Sequence, residues 1–219
     1  MGYRRFVPTV PDSPALRTTM TLAAPLRTGH GPVLADLLPA ATTTRARVRD
    51  IALVVGGAAL TGLAAQLSVP VPGSPVPVTG QTFAALLVGT ALGTRRGLLS
   101  LALYLLLGAA GTPWFAGGTS GFGATFGYVV GFVVAAGMVG ALAERGGDRG
   151  PLRMLGTMAV GSAAIYAVGV PWLAVSLDLS LSEAASLGLV PYLLGDAVKA
   201  ALAMGALPAA WRLAGNGRD

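Results

Sequence analysis

Asp196 and Lys199 form the one acid–base pair within an apolar segment of this 219-residue chain. Asp196 is the only acidic residue in such a segment, and Lys199 is the only lysine. On a helix, a spacing of three puts both side chains on one face. Charges at membrane depth are costly unless they are paired or hydrated. The pair therefore predicts either a polar anchor in a binding site or an ion pair that fixes helix packing, with Lys199 extending toward water.

Two uncharged segments, 69–80 and 112–121, supply the other candidate site residues. The first is rich in proline and the second in glycine, so neither continues a helix. Aromatic rings beside glycines can stack on a flat ligand while backbone groups hydrogen-bond it. For Trp114 alone, an interfacial aromatic belt is an equal alternative. In chain order, the candidates from these segments and their borders are Gln81, Trp114, Phe115, Gly117, Gly118 and Tyr128.

Several kinds of catalysis are excluded by missing residue types. A phosphate-binding loop needs Gly-Lys-Ser/Thr, whereas Lys199 is followed by Ala200. The segment 118–121 looks like the Gly-x-Ser-Gly of an intramembrane serine protease, but the apolar region has no histidine to act as base. The chain has no cysteine and its single histidine is His30, so no metal site is expected. The sequence predicts no enzyme, no catalytic residue and no cofactor.

The composition is typical of a membrane protein. Hydrophobic residues make up 53% of the chain and charged residues 11%, far below the quarter that is usual in soluble domains. The net charge of +6 comes from arginines at the ends of apolar runs, where they indicate topology rather than a nucleic-acid partner. We therefore expect an all-α protein in a lipid bilayer.

Prolines, glycines and charge clusters divide the chain into three parts. Residues 1–50 are interpreted as a mostly disordered basic tail with a short helix near 34–38, residues 51–212 as the transmembrane domain, and residues 213–219 as a C-terminal tail. The predicted helices span about 51–68, 81–94, 97–111, 122–143, 154–176 and 188–212.

The arginines favour six spans over a count that treats 81–111 as one broken or re-entrant unit. With the N-terminus in the cytoplasm, six crossings place the clusters 45–49, 95–96, 145–153 and 212–218 all inside. Both termini are then cytoplasmic, and the three outer loops hold no arginine or lysine. Five crossings would break this agreement.

Five motifs, in order, resemble those of BioY proteins, the biotin-specific substrate-binding (S) components of energy-coupling factor (ECF) transporters. Segment 71–82 resembles that family's PxPxSPVPVTxQT signature, and 92–97 resembles its LGxRxG turn. Segment 105–118 resembles YLxLGxxGxPVFAGG, 125–132 resembles TGGYLxGF, and 195–199 resembles the PGDxxK motif of the last helix. The chain departs from the usual pattern at Gly80, at Phe126 and at 192–194.

The resemblance implies an S-component-like bundle of six helices that binds biotin near the outer surface. It also implies a transmembrane T component and two cytoplasmic ATPases as partners. Asp196 and Lys199 would contact the polar groups of biotin, Tyr128 and the 114–118 loop would line the pocket, and the loop ending at Gln81 would cap it. An S component for another vitamin and a self-sufficient secondary transporter remain the alternatives.

Small residues on the first helix have two interpretations. Ala58, Gly62 and Ala65 recur at roughly helical spacing. They could form a flat face that docks on the T component, or they could pack within the bundle.

Overall fold

The structure is a computed structural model that describes residues 31–216. Five of its helical stretches are long and apolar enough to cross a membrane, whereas the sequence predicts six. The fifth stretch, Leu181–Ala214, comprises α5, a short 3₁₀ turn and α6. The helices are α1 (Thr43–Gln66), α2 (Gln81–Ala109), α3 (Phe126–Ala143), α4 (Pro151–Ser176), α5 (Leu181–Gly188) and α6 (Leu193–Asn216). Two short strands, β1 (Ser68–Val69) and β2 (Val78–Thr79), pair antiparallel between α1 and α2.

The difference in count arises at α2, which unites the predicted helices 81–94 and 97–111. Gly93 has φ 81° and ψ 177°, a conformation outside the helical region that glycine adopts readily. The chain reverses there, since the side chains of Gln81 and Tyr104 hydrogen-bond although they are 23 positions apart. In a continuous helix they would be about 35 Å apart. The arms 81–92 and 94–109 therefore lie side by side and antiparallel.

Glycines let α2, α3 and α4 approach closely. A Cβ atom on Gly140 of α3 would lie 2.5 Å from the backbone nitrogen of Thr94, and one on Gly131 would lie 2.9 Å from the carbonyl oxygen of Ile165 on α4. Contacts this short leave no room for a side chain. The abundance of small residues is thus explained by close helix packing, as is common in membrane bundles.

The small residues on α1 face into the bundle. Ala58 and Ala65 are buried, and a methyl group on Gly62 would meet the ring of Trp114 at 2.9 Å. Of the two interpretations, an exposed docking face does not agree with the burial of these three residues. The packing alternative holds, because α1 turns these residues toward the second arm of α2 and the loop that follows it.

α1 begins at Thr43, earlier than the predicted start at residue 51, because the hydroxyl of Thr42 accepts a hydrogen bond from the backbone of Arg45 and caps the helix. The arginines at 45–49 thus extend the helix rather than precede it. The predicted short helix near 34–38 is observed as a 3₁₀ turn at Leu34–Leu37. The prediction of a disordered tail falls mostly on residues 1–30, which lie outside the described residues, as do residues 217–219 of the predicted C-terminal tail.

Residues 31–38 form a strap across one end of the bundle. Val33 and Ala35 are buried against apolar residues of α1, α2 and α3. Asp36 accepts a hydrogen bond from the guanidinium of Arg96 at 2.8 Å, and the other side of Arg96 pairs with Asp50 of α1 at 3.2 Å. The strap thereby ties the turn within α2 to the start of α1.

The loop 144–150 continues this network to the last helix. Arg149 donates to the carbonyl of Pro32 in the strap at 2.7 Å, and its guanidinium carbon stands 3.5 Å from the ring centroid of Trp211 on α6. The indole of Trp211 donates to Asp148 at 2.6 Å. Burial raises the pKa of the Asp148 carboxyl, and the hydrogen bond from Trp211 and the charge of Arg149 oppose that rise.

Charge is distributed unevenly between the two ends. The arginines of residues 31–216 all lie at the end that carries the strap, hereafter the basic end. The loops at the opposite end, 67–80, 110–125 and 177–192, contain no arginine or lysine. Only Lys199, among the basic residues that the structure describes, lies in this opposite half.

Candidate functional site

A cavity opens at the end opposite the basic end; the empty space inside it, including the part open to solvent, is about 540 Å³. Its walls come from the β1–β2 loop, the first turn of α2, the loop before α3, the facing sides of α3 and α4, and the start of α6. The residues that line it are Val76, Pro77, Thr79, Gln81, Thr82, Phe115, Ala116, Thr125, Tyr128, Val129, Phe132, Tyr166, Gly188, Tyr192, Asp196 and Lys199.

Asp196 and Lys199 supply the charged part of this wall. The ammonium of Lys199 is 3.5 Å from one carboxylate oxygen of Asp196, and the two side chains are 20% and 14% exposed. Lys199 also donates to the hydroxyl of Thr82 at the start of α2, and Tyr166 of α4 donates to the second carboxylate oxygen. The pair on α6 is thus held by groups from two other helices, and it carries no net charge.

Tyr128 forms an aromatic wall beside the pair. Its ring meets that of Tyr166 edge-on, with centroids 6.4 Å apart and an interplanar angle of 88°. Its hydroxyl donates to the backbone carbonyl of Gly188 at 2.9 Å. Two glycines, Gly169 and Gly188, leave the space that this ring occupies. The side chain is therefore fixed before any ligand enters.

Gln81 lies at the junction of the β1–β2 loop and α2. Its amide nitrogen donates to the hydroxyl of Tyr104, and its oxygen accepts from Thr79 at 3.1 Å. The side chain is buried and its polar atoms have protein partners. It lines the cavity in a fixed orientation rather than as a free hydrogen-bonding group.

The candidates in the 112–121 loop separate into two groups. Phe115 lines the cavity, with its ring against the backbone of Gly108. Trp114 does not line it, because its indole donates to the carbonyl of Tyr104 at 3.0 Å and its ring packs on α1. Gly117 and Gly118 also lie outside the lining; both have positive φ, and the backbone of Gly118 donates to Phe115 at 3.0 Å. They shape the turn that directs Phe115 inward.

Two tyrosines of the lining are absent from the sequence-based candidates. Tyr166 contacts Asp196; Tyr192 donates to the carbonyl of Val76, and its hydroxyl oxygen lies 2.8 Å from that of Ser74. Ser74 in turn donates to the carbonyl of Leu187 at 2.7 Å, so the β1–β2 loop is fastened to the segment between α5 and α6. The available signal was a hydroxyl in an otherwise apolar stretch, but sequence spacing does not say which helices face each other.

The chemistry of the cavity suits reversible binding. Most of its wall is apolar or aromatic, and its two charged side chains, Asp196 and Lys199, form one pair without net charge. Within residues 31–216 no cluster of histidine, cysteine, aspartate or glutamate could hold a metal ion. The fold and the cavity define a helical membrane protein with a pocket for a small molecule that has both polar and apolar parts.

Comparison with known proteins identifies the family. The BioY family model matches residues 40–216, and the chain belongs to the BioY family. The probable biotin transporter BioY of Pyrococcus horikoshii is 38% identical over 162 residues, which cover 72% of this chain and 93% of that protein. Biotin transporter BioY2 of Lactococcus lactis is 33% identical over 159 residues, covering 71% and 86%.

A solved structure has the same fold. The crystal structure of the S-component for biotin from an ECF-type ABC transporter aligns with a TM-score of 0.70. The alignment covers 78% of this chain and 95% of that one, at 22% identity. The bundle is therefore an S-component fold.

Proposed function

We propose that this protein is the biotin-binding S component of an ECF-type ABC transporter. It captures biotin at the cavity and delivers it inward when assembled with a transmembrane T component and two cytoplasmic ATPases. The observation that carries the proposal is the neutral Asp196–Lys199 pair set in an aromatic cavity of a BioY-family bundle. The biotin transporters among its relatives support the choice of ligand. The chain is a transporter subunit and not an enzyme.

The properties of biotin match those of the cavity. Most of the cavity wall is apolar and a few polar groups converge on it, which is the usual composition of a small-molecule pocket. Tyr128, Phe115 and Phe132 provide apolar surface for the bicyclic ring and its aliphatic chain. In this proposal Trp114, Gly117 and Gly118 support Phe115 without touching the ligand.

Charge balance favours one orientation of the ligand. A ureido group can donate its N–H groups to Asp196 and accept from Lys199 without adding charge to the pair. The carboxylate of biotin would instead leave an unpaired negative charge at this depth, which is costly. We therefore place the ureido ring at the pair and the carboxylate toward the loops.

We further propose that the bundle crosses the bilayer six times with both termini in the cytoplasm. The arms 81–92 and 94–109 are antiparallel and apolar, so each can serve as one crossing. At about 18 and 24 Å they are shorter than a hydrocarbon core of about 30 Å, which implies local thinning of the bilayer. The arginines at the basic end support a cytoplasmic location for that end.

Biotin binding by the purified full-length protein in detergent tests the proposed ligand and its site. We expect saturable binding by isothermal titration, and a loss of at least about 100-fold in affinity for Asp196→Asn and Lys199→Ala, because each leaves a buried charge unpaired. Asp178→Asn is the matched control, since Asp178 is exposed and does not line the cavity. No binding by the unaltered protein would refute the ligand, and equal binding by all variants would refute the site.

Copurification separates the S component from a self-sufficient carrier. An affinity-tagged chain isolated from its native membrane should bring two ATPase subunits and a T component with it. Biotin uptake in cells that lack all such ATPases would instead support a secondary transporter. Saturable binding of another vitamin in place of biotin would identify an S component of different specificity.

A further inference from the structure

Tyr166 lies on α4 directly across the cavity from α6. It belongs to none of the five motifs that identify the family, yet its hydroxyl donates to Asp196. Its ring is held edge-on against Tyr128. Through this single contact α4 reaches the charged pair.

The carboxylate of Asp196 needs a second fixed partner if it is to point in one direction. The ammonium of Lys199 stands 3.5 Å from one oxygen, beyond the usual length of a charge-assisted hydrogen bond. The two residues also share one helix, so their contact leaves the carboxylate free to turn with the lysine. Tyr166 comes from another helix, and its hydrogen bond to the other oxygen fixes the plane of the carboxylate relative to the cavity wall.

We propose that Tyr166 is a positioning residue that orients the Asp196 carboxylate for ligand N–H donors. A carboxylate has about four acceptor positions; Tyr166 takes one of them, and Lys199 lies beside the other oxygen at 3.5 Å. The remaining positions then face the cavity in a fixed direction. This inference rests on the proposed function, since biotin is the ligand that would use those positions.

Tyr166→Phe isolates the hydroxyl, because the ring and its packing on Tyr128 remain. Isothermal titration of the full-length variant with biotin should show affinity about 10-fold weaker or more, as for loss of a hydrogen bond to a charged group. Thr90→Val is the matched control; it removes a buried hydroxyl that donates to the carbonyl of Leu86 and does not line the cavity. Its affinity should change less than about twofold.

A double-mutant cycle distinguishes positioning from packing. If Tyr166 acts through the carboxylate, Tyr166→Phe should weaken binding by less than about twofold in the Asp196→Ala background, which leaves no acceptor for the Tyr166 hydroxyl. An equal loss in both backgrounds would mean that Tyr166 packs on or contacts the ligand directly, and would overturn the proposal. So would unchanged affinity of Tyr166→Phe in the otherwise unaltered protein.

A measurement without ligand keeps the two proposals separate. The infrared carboxylate band that disappears in Asp196→Asn should shift in Tyr166→Phe, because its oxygen loses a donor. An unshifted band would overturn the positioning role even where biotin binds. If the band shifts but the unaltered protein does not bind biotin, the hydrogen bond from Tyr166 to Asp196 is confirmed. The proposed ligand is then refuted, and so is the proposal that the bond orients Asp196 for that ligand.

Discussion

At the scale of residues, the site is a charged pair embedded in hydroxyl groups. Asp196 and Lys199 alone would be a costly feature of an apolar helix. Tyr166 and Thr82 reduce that cost by giving each charge a partner from a neighbouring helix. The pair is therefore assembled before a ligand arrives, and less binding energy is spent on ordering it.

Tyr192 and Ser74 should control how fast ligand leaves the cavity. Their hydroxyls fasten the β1–β2 loop to the segment that precedes α6. In Tyr192→Phe and Ser74→Ala we expect biotin to dissociate roughly 5- to 10-fold faster, since about one neutral hydrogen bond is lost in each. Stopped-flow displacement of a fluorescent biotin derivative measures this rate.

Ser186→Ala is the matched control for the loop contacts. The hydroxyl of Ser186 is exposed and bonds within α5 to the carbonyl of Ser182 at 2.9 Å. Its loss should leave dissociation unchanged. Identical dissociation rates for all three variants and the unaltered protein would show that the loop is not held by these hydroxyls.

The sequence predicts the charged residues of the site better than their surroundings. Asp196 and Lys199 stand out because charge is rare in apolar helices, and both line the cavity. Trp114 and Phe115 are adjacent aromatic residues in the same glycine-rich loop, so local sequence does not distinguish them. Phe115 faces the cavity and Trp114 faces α1, because side chains one residue apart in this turn point in opposite directions. Tyr166 shows only a hydroxyl in an apolar stretch; its importance depends on the packing of α4 against α6.

At the scale of elements, the decisive feature is the hairpin within α2. The positive φ of Gly93 lets two helical arms meet with a single residue between them. Local sequence predicts a break there, since glycine, threonine and two arginines interrupt the apolar run. The number of helices is harder to predict, because the two arms follow each other with only the non-helical Gly93 between them and can be counted as two helices or as one element.

Gly140→Val should destabilise the bundle by about 1–3 kcal/mol, because a side chain there would collide with the backbone of Thr94 just after the hairpin. Thermal unfolding in detergent, followed by intrinsic fluorescence, measures the effect. Gly156→Val is the control, since a Cβ atom on Gly156 has no neighbour within 4 Å. Equal melting temperatures for the two variants would contradict the proposed close approach.

At the scale of the whole molecule, the two ends of the bundle differ in charge and in the contacts that they hold. The cavity end is free of arginine and lysine in its described loops, while the basic end holds the strap and the contacts between Asp148, Arg149 and Trp211. This division follows from composition and was visible in the sequence as arginine clusters. The strap was not, because its buried residues are few and its ion pairs join distant parts of the chain.

Asp148 should make the stability of the basic end depend on pH. Burial raises the pKa of its carboxyl, so the folded protein binds this proton more tightly than the unfolded chain does. The cost of the buried charge is therefore largest above the folded pKa and is relieved as the pH falls through it toward the ordinary value near 3.9. We expect Asp148→Asn, which keeps an acceptor for Trp211, to melt higher than the unaltered protein at about pH 8, with an advantage that shrinks as the pH falls toward about 4. A difference in melting temperature that stays constant with pH would contradict this expectation.

The single-residue turn at Gly93 also has a consequence for biogenesis. In the six-crossing topology, neither short arm of α2 can enter the bilayer alone. A single residue, Gly93, is too short to connect two arms that insert separately, and each arm is shorter than the hydrocarbon core. The arms must therefore insert together as a helical hairpin. In that topology Arg95 and Arg96, which stand directly behind the turn, would hold its tip on the cytoplasmic side. The β1–β2 loop and the loop before α3, which carry no charge, are then the parts that cross.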